Sequence, residues 1–264
     1  MNADPSSPPV DLQRSGDIAT VVLNRPEKLN ALTKGLWLGL GDIFAALSED
    51  STLRCIVLRG AGSRAFSPGN DIGEFATERA NLDQGRAYGA IMAHTLDTMA
   101  RCPHPVVVLI QGICVGGGLE LAATGDLRIC GTSSRFGVPI NRLGLTMAYP
   151  EIRALVGVVG RAVALEMLLE GQIFSAQEAL AKGLVTRVVA DAAVEAEAYA
   201  CARRIAQGAP LVARWHKRFI RRLEDPAPLA VDEADEGYAC FATEDFQIGY
   251  RAFLAKETPV FKGR

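Results

Sequence analysis

Apolar positions in the first half of the chain come in short dense runs separated by longer amphipathic stretches. Val10 to Asn24 predicts a hairpin that turns at Gly16-Asp17 before Ile18-Ala19-Thr20-Val21-Val22-Leu23. Asn30 to Leu47 spaces its apolar residues as an amphipathic helix does. Arg54 to Arg59, apolar and β-branched, predicts a second strand. Gly60 to Asp71 is dense in Gly, Ser and Pro and predicts irregular backbone. Leu82 to Ala100 predicts a helix, stopped by Cys102-Pro103-His104-Pro105. Val106 to Ile110 predicts a third strand and Asp126 to Cys130 a further short one. An apolar strand thus feeds a loop and a helix three times, with centres near Val21, Ile56 and Val107, 35 and 51 residues apart. That recurrence predicts an α/β fold whose strands are covered by helices. Beyond Val189 the pattern is wholly helical, with helices expected over Ala193 to Gln207, Pro210 to Leu223 and Leu229 to Phe241. So apolar a tail needs a surface to cover, either on its own chain or on another subunit.

The run Gln111-Gly112-Ile113-Cys114-Val115-Gly116-Gly117-Gly118-Leu119-Glu120 joins the third strand to a helix. Adjacent glycines there let a ligand approach the backbone with no Cβ in the way. They also leave amide N–H groups free at a helix N-terminus, where negative charge is favoured. Free N–H groups beside one carboxylate, Glu120, suit the stabilisation of an oxyanion next to an acid or base. The plainer reading is a tight strand-to-helix turn with a Glu that complements the helix dipole. Neither G-x-G-x-x-G nor a Gly-Lys-Ser/Thr loop is present, which excludes two common nucleotide motifs.

Composition narrows the class. The 264 residues are 49% hydrophobic and 22% charged, with net charge −2. That balance gives no support to nucleic-acid binding, and no apolar run reaches the length of a membrane span. Arg214, Lys217, Arg218, Arg221 and Arg222 fall at helical spacing, which reads as a solvated face or a contact between subunits. Residues 1–9 lack the basic and apolar parts of a signal peptide and are expected to form a loose tail. Six cysteines, none in a C-x-x-C pair and most in apolar runs, fit buried free thiols in a reducing cytoplasm. The three histidines have no ligand-like spacing to cysteine or glutamate, so no metal site is expected.

Six segments, in order over about residues 10–264, together resemble the enoyl-CoA hydratase/isomerase (crotonase) family. They are Asn24 to Leu32, Ala65 to Ile72 (similar to A-F-x-x-G-x-D-[LI]) and Gly112 to Glu120 (similar to G-x-x-x-G-G-G-x-E). Phe136-Gly137-Val138-Pro139, the stretch Phe174 to Ala179 with Gly183-Leu184-Val185, and Ala242 to Arg264 complete the set. The resemblance implies a crotonase-like spiral of β-β-α units over residues 10–192 and a C-terminal helical oligomerisation region over residues 193–264. It implies a homotrimer or a dimer of trimers, and no tightly bound cofactor, with coenzyme A entering as part of an acyl-CoA substrate. The oxyanion hole carries over to the backbone N–H groups of Asn70 and Gly117, and the catalytic carboxylate to Glu120. CoA or substrate contacts carry over to Lys28, Leu29, Ala31, Ala65, Ser67, Gly69, Asp71, Ile72, Gly116, Pro139, Ile140, Phe253 and Lys256. Asp71 has a structural alternative, capping the turn after it.

The pattern breaks at one place. Hydratases of this family carry a second glutamate directly after F-G-x-P, where this chain has Ile140. Hydration of a double bond needs both a base for water and a proton source, and isoleucine is neither. His94, Glu74, Tyr149 and Glu151 are the replacements within reach of the pattern, and the sequence singles out none of them. Hydration of an enoyl-CoA, or isomerisation of its double bond, remains the leading expectation. The alternatives are other enolate chemistry on the same hole (hydrolysis, decarboxylation or C–C cleavage) and a CoA-thioester-binding protein with little turnover.

Overall fold

The computed structural model describes residues 8–264, so residues 1–7 of the expected tail lie outside it. Strands β1 (Val10–Ser15) and β2 (Ile18–Leu23) form the expected hairpin, antiparallel and turning at Gly16-Asp17. Helix α1 (Lys34–Ser48) starts later than its periodicity suggests, because the Thr33 hydroxyl accepts from the Leu36 N–H and caps it there. β3 (Cys55–Gly60) leads into β4 (Ala65–Ser67), the short α2 (Phe75–Glu78) and the long α3 (Leu82–Arg101). β5 (Val106–Ile110) leads into β6 (Ile113–Val115) and α4 (Gly117–Thr124). β7 (Leu127–Gly131) leads into β8 (Arg135–Gly137) and α5 (Tyr149–Glu170), which is broken at Gly160, where φ is +72°. β9 (Ile173–Ser175), α6 (Ala176–Ala181) and β10 (Arg187–Val189) close the core, and α7 (Val194–Ala206), α8 (Pro210–Arg222), α9 (Val231–Asp235) and α10 (Glu244–Ala255) form the tail.

Each of three successive turns gives one strand to each of two sheets. The large sheet has the order β1-β2-β3-β5-β7-β10 and is parallel from β2 onward. The small sheet has the order β4-β6-β8-β9, parallel except at β9. This is the spiral of β-β-α units that the family resemblance implies, with the C-terminal helices following it. The strands of the large sheet are apolar on both faces because both are covered. Ile56 and Leu58 face one buried cluster with Trp37, Phe44 and Phe66, while Cys55, Val57, Val107 and Leu109 face a second cluster under α7. Arg128, buried in β7, donates to the carbonyls of Leu184 (2.8 Å) and Gly125 (2.5 Å) and so ties the end of α4 to the sheet.

Three expectations change. The segment 60–71 is not wholly irregular, since it contains β4. The stretch from Leu229 to Phe241 is the five-residue α9 followed by a 3-10 turn over Glu236–Ala242. The basic face of α8 is not wholly solvated, since Arg218 is exposed but three of the others pack on the chain's own core. Arg214 donates to the carbonyls of Ser51 and Leu53, Lys217 to that of His104 and to Asp126, and Arg221 to that of Ala100. The tail therefore begins by covering its own core, while Ile220, Leu223, Val231, Tyr238, Phe253 and Val260 remain exposed farther along. Among the described residues the cysteines are free thiols, no helix is long and apolar enough to cross a membrane, and no cluster of three or more potential metal ligands occurs.

Candidate active site

The chain segments that leave the small sheet converge on one cavity. After β4 comes Pro68-Gly69-Asn70, after β6 comes Gly116-Gly117, and after β8 comes Pro139-Ile140. Each turn of the spiral thus supplies one wall. Gly69 has φ +97°, and a Cβ there would stand 3.0 Å from the Gly117 nitrogen, so the first two walls touch through bare backbone. Gly116 (φ +52°) swings the chain from β6 into α4.

Asn70 is fixed from several directions. The Leu32 N–H donates to the Gly69 carbonyl and the Asp71 N–H donates to the Leu32 carbonyl, both at 2.8 Å. The Trp37 indole N–H donates to Asn70 Oδ1 (2.7 Å), which turns the side chain inward and away from the cavity. Ser67 Oγ accepts from the Gly69 N–H (3.1 Å). Among the described residues no protein group accepts from the backbone N–H of Asn70 or of Gly117. Two unpaired amides on adjoining turns at one cavity make a place for a carbonyl oxygen that gains negative charge.

The cavity has a volume of about 190 Å³. Ile72, Phe75, Ile140, Leu143 and Leu145 make it largely apolar, and its charged groups are Glu120, Glu151 and Arg79. Glu120 is 5% exposed and Glu151 7%. Glu120 Oε2 is buried with no hydrogen-bond partner. Glu151 Oε2 accepts from the Ala148 N–H (2.6 Å) at the start of α5. Arg79 stacks over the rings of Phe75 (4.8 Å) and Tyr88 (4.9 Å). Burial, and then the neighbouring charge of Glu151, push the Glu120 carboxyl well above the usual carboxylate range, while Arg79 opposes the shift. Burial also raises Glu151, against the pull of the Ala148 N–H and Arg79.

Gly69, Asn70, Ile72, Gly116, Gly117, Glu120, Pro139 and Ile140 are the expected site residues that line the cavity. Others form the shell behind it. Ala65 and Ser67 are buried in β4. Ala31 is buried beside Lys28 and Leu29, which sit on a short 3-10 turn. Asn30, at the end of that turn, donates to the carbonyls of Ala61 and Ala65 and locks it to β4. Asp71 caps the following turn through the Gly73 N–H and pairs with Arg25 at 3.0 Å, so its carboxylate has structural partners. Phe253 (84% exposed) and Lys256 lie at the end of α10 and do not line the cavity.

Of the four replacement carboxylates and bases, only Glu151 lines the cavity. His94 is exposed on α3, Tyr149 is 89% exposed, and Glu74 accepts from the Tyr88 hydroxyl and the Lys34 N–H. Sequence reasoning missed Arg79 and Phe75. For Glu151 a signal existed, since Pro150-Glu151 in a helix's first turn is a start pattern that fixes the glutamate's direction.

The chain resembles known proteins over nearly its whole length. The sequence model of the enoyl-CoA hydratase/isomerase family matches residues 13–264. The chain is 31% identical over 249 residues to the short-chain-enoyl-CoA hydratase of Clostridium acetobutylicum, covering 94% of this chain and 95% of that protein. It is 33% identical over 266 residues to the (E)-benzylidenesuccinyl-CoA hydratase of Thauera aromatica, covering 97% and 99%. Among solved structures, an enoyl-CoA hydratase/carnithine racemase from Magnetospirillum magneticum superposes with a TM-score of 0.96 at 51% identity, covering 98% of this chain and 97% of that one.

Proposed function

The chain belongs to the enoyl-CoA hydratase/isomerase family, and from that premise we propose that it adds water to the double bond of a 2-enoyl-CoA. Coenzyme A takes part as the substrate's own carrier. The thioester oxygen lies between the N–H groups of Asn70 and Gly117. As the double bond's electrons move toward the carbonyl, those amides stabilise the enolate that forms. Glu120 exchanges a proton with the reacting carbons from the adjoining wall. The observation that carries this reading is the meeting of two unpaired amides and a buried carboxyl on one cavity. Relatives named as hydratases favour hydration over double-bond isomerisation.

Lys28 and Leu29, on a surface 3-10 turn, and Ile72, exposed at the cavity lining, suit contact with the CoA moiety, and we assign Phe253 and Lys256 the same part from a neighbouring subunit. The exposed apolar groups of the tail support assembly with further copies of the chain, as a homotrimer or a dimer of trimers. Because α7 already covers its own sheet, the assembly surface falls to α8, α9 and α10. Free thiols support work in the cytoplasm.

The test is turnover of crotonyl-CoA and longer 2-enoyl-CoAs by the wild type and by Glu120→Gln, with products identified by mass spectrometry. Loss of activity in Glu120→Gln by about 10²-fold or more is expected. Equal rates would remove Glu120 from the chemistry, and free acid or a decarboxylated product would replace hydration with another enolate reaction.

A further inference from the structure

Hydration moves two protons, and Ile140 supplies neither a donor nor an acceptor for the second. The start of α5 lines the same cavity. There Glu151 is buried beside Glu120, yet it comes from a different turn of the spiral. Its direction is not free. Oε2 is held by the Ala148 N–H at 2.6 Å, which fixes the carboxylate on the cavity wall and stabilises its ionised form. Glu120 has the complementary environment, with Oε2 buried and without any partner. Two carboxyls buried at one site resist double ionisation, so the pair holds one proton between them. Arg79, after α2, is the third charged group facing them, and no carboxylate lies within ion-pair distance of it among the described residues.

We propose that Glu151 is the second catalytic residue of this enzyme, the ionised base that works opposite a protonated Glu120. This rests on the acyl-CoA reading above. In the forward direction Glu151 takes a proton from water as the water oxygen bonds to C3 of the enoyl group. The electron pair of the C2–C3 double bond passes to the thioester as an enolate held by the two amides. The enolate then collapses, C2 takes the proton of Glu120, and the carbonyl re-forms. Oxygen and one hydrogen end on C3 and the other hydrogen on C2. The pair carries two protons while the enolate exists and one again once it collapses, now on Glu151, and transfer of that proton back to Glu120 resets the site. No oxidant, reductant or metal enters the balance.

The test compares the wild type, Glu120→Gln and Glu151→Gln. Glutamine at 151 still accepts from the Ala148 N–H, so the cap on α5 survives. Binding of saturated butyryl-CoA, measured by calorimetry, reports the integrity of the site. The expected result is butyryl-CoA affinity within threefold of the wild type, with kcat for hydration down by about 10²–10⁴-fold. The pH profile separates chemistry from architecture. The wild type should show a bell whose two limbs belong to the pair. Glu151→Gln should lose the limb on the acid side, and its remaining limb should move to lower pH because a like charge beside Glu120 is gone. Glu151→Gln with the wild-type rate and profile, while Glu120→Gln is inactive, would overturn this role for Glu151 alone. A wild type that neither binds butyryl-CoA nor hydrates any 2-enoyl-CoA would overturn the acyl-CoA reading and this proposal with it.

Discussion

One methyl group at Gly118 should drive the two amide-bearing turns apart without touching either amide. A Cβ at Gly118 would stand 2.5 Å from the Ser67 carbonyl oxygen and 2.8 Å from Ser67 Cβ, where ordinary contact begins at 3.4 Å. Relief needs about 0.9 Å of separation between α4 and β4, and both are buried on their other sides. Ser67 Oγ holds the Gly69 N–H, so the displacement passes directly to Gly69 and Asn70. The Asn70 amide then moves by a similar distance relative to that of Gly117. Misplacement on the order of 1 Å costs about 10²-fold in rate, and complete loss of one such donor costs about 10²–10³-fold, roughly 2.7–4 kcal/mol. Gly118→Ala should therefore lower kcat by about 10²-fold, with a smaller change in KM. The stability change should be modest, because overpacking costs about 1–3 kcal/mol and alanine returns up to about 1 kcal/mol of helix propensity. Hydration is followed by loss of enoyl-thioester absorbance, and stability by urea unfolding. Gly157→Ala, in α5 with nothing within 4 Å of the added Cβ, is the control and should keep the wild-type rate. A Gly118→Ala enzyme within threefold of wild-type kcat would refute the reasoning, since the oxyanion hole would then tolerate separation of its halves.

Trp37→Phe removes the donor that holds Asn70 Oδ1, and should lower kcat by about tenfold and stability by about 1–3 kcal/mol, both read from the same two assays. A full rate would show that the inward turn of the Asn70 side chain does not position its amide. Glu120→Gln should stabilise the fold in a pH-dependent way. The folded-state value of Glu120 lies above its unfolded value, so relative stability is complete below about pH 4.3, the ordinary glutamate value, and declines as pH rises toward the folded value. Differential scanning calorimetry should find Tm raised by at least about 2 °C at neutral pH and unchanged near about pH 4. A Tm gain equal at both pH values would contradict a raised Glu120.

The large sheet was legible because β3, β5 and β7 are buried on both faces and so read as unbroken apolar runs. The small sheet was not. Its strands are three residues long, too short to show a period, and Ala65-Phe66-Ser67 is surrounded by turn-forming residues. Helix α10 also escaped, although Thr243 followed by Glu244-Asp245 is a start signal. In the site, the glycine run before α4 and Glu120 left a local mark in the sequence, while Asn70 and Gly117 were marked as the amide donors only by the family resemblance. Arg79 and Glu151 lie 41 and 31 residues from Glu120, and nothing local links them to it. Their meeting is a product of the spiral, which brings the end of α2 and the starts of α4 and α5 to one cavity.

The protonation of Glu120 follows from a contest that the fold decides. Its place in the first turn of α4 exposes it to the positive end of the helix, which favours an ionised carboxylate by about 0.3–2 kcal/mol. Removal from water costs several kcal/mol per ion, and Glu151 adds a second like charge. Burial wins, and the helix field stays uncommitted to the side chain. It acts instead through the Gly117 N–H, the group at the same helix end that has no partner. An enolate oxygen arriving there meets a field that no resident charge has already neutralised. The Ile140 substitution sharpens this division. With an apolar group after β8, the carboxylates lining the cavity are, among the described residues, Glu120 and Glu151 alone. Placing a carboxylate at 140 would set a third like charge beside the pair and favour a second proton on it, so the base on α5 and the isoleucine after β8 function as one arrangement.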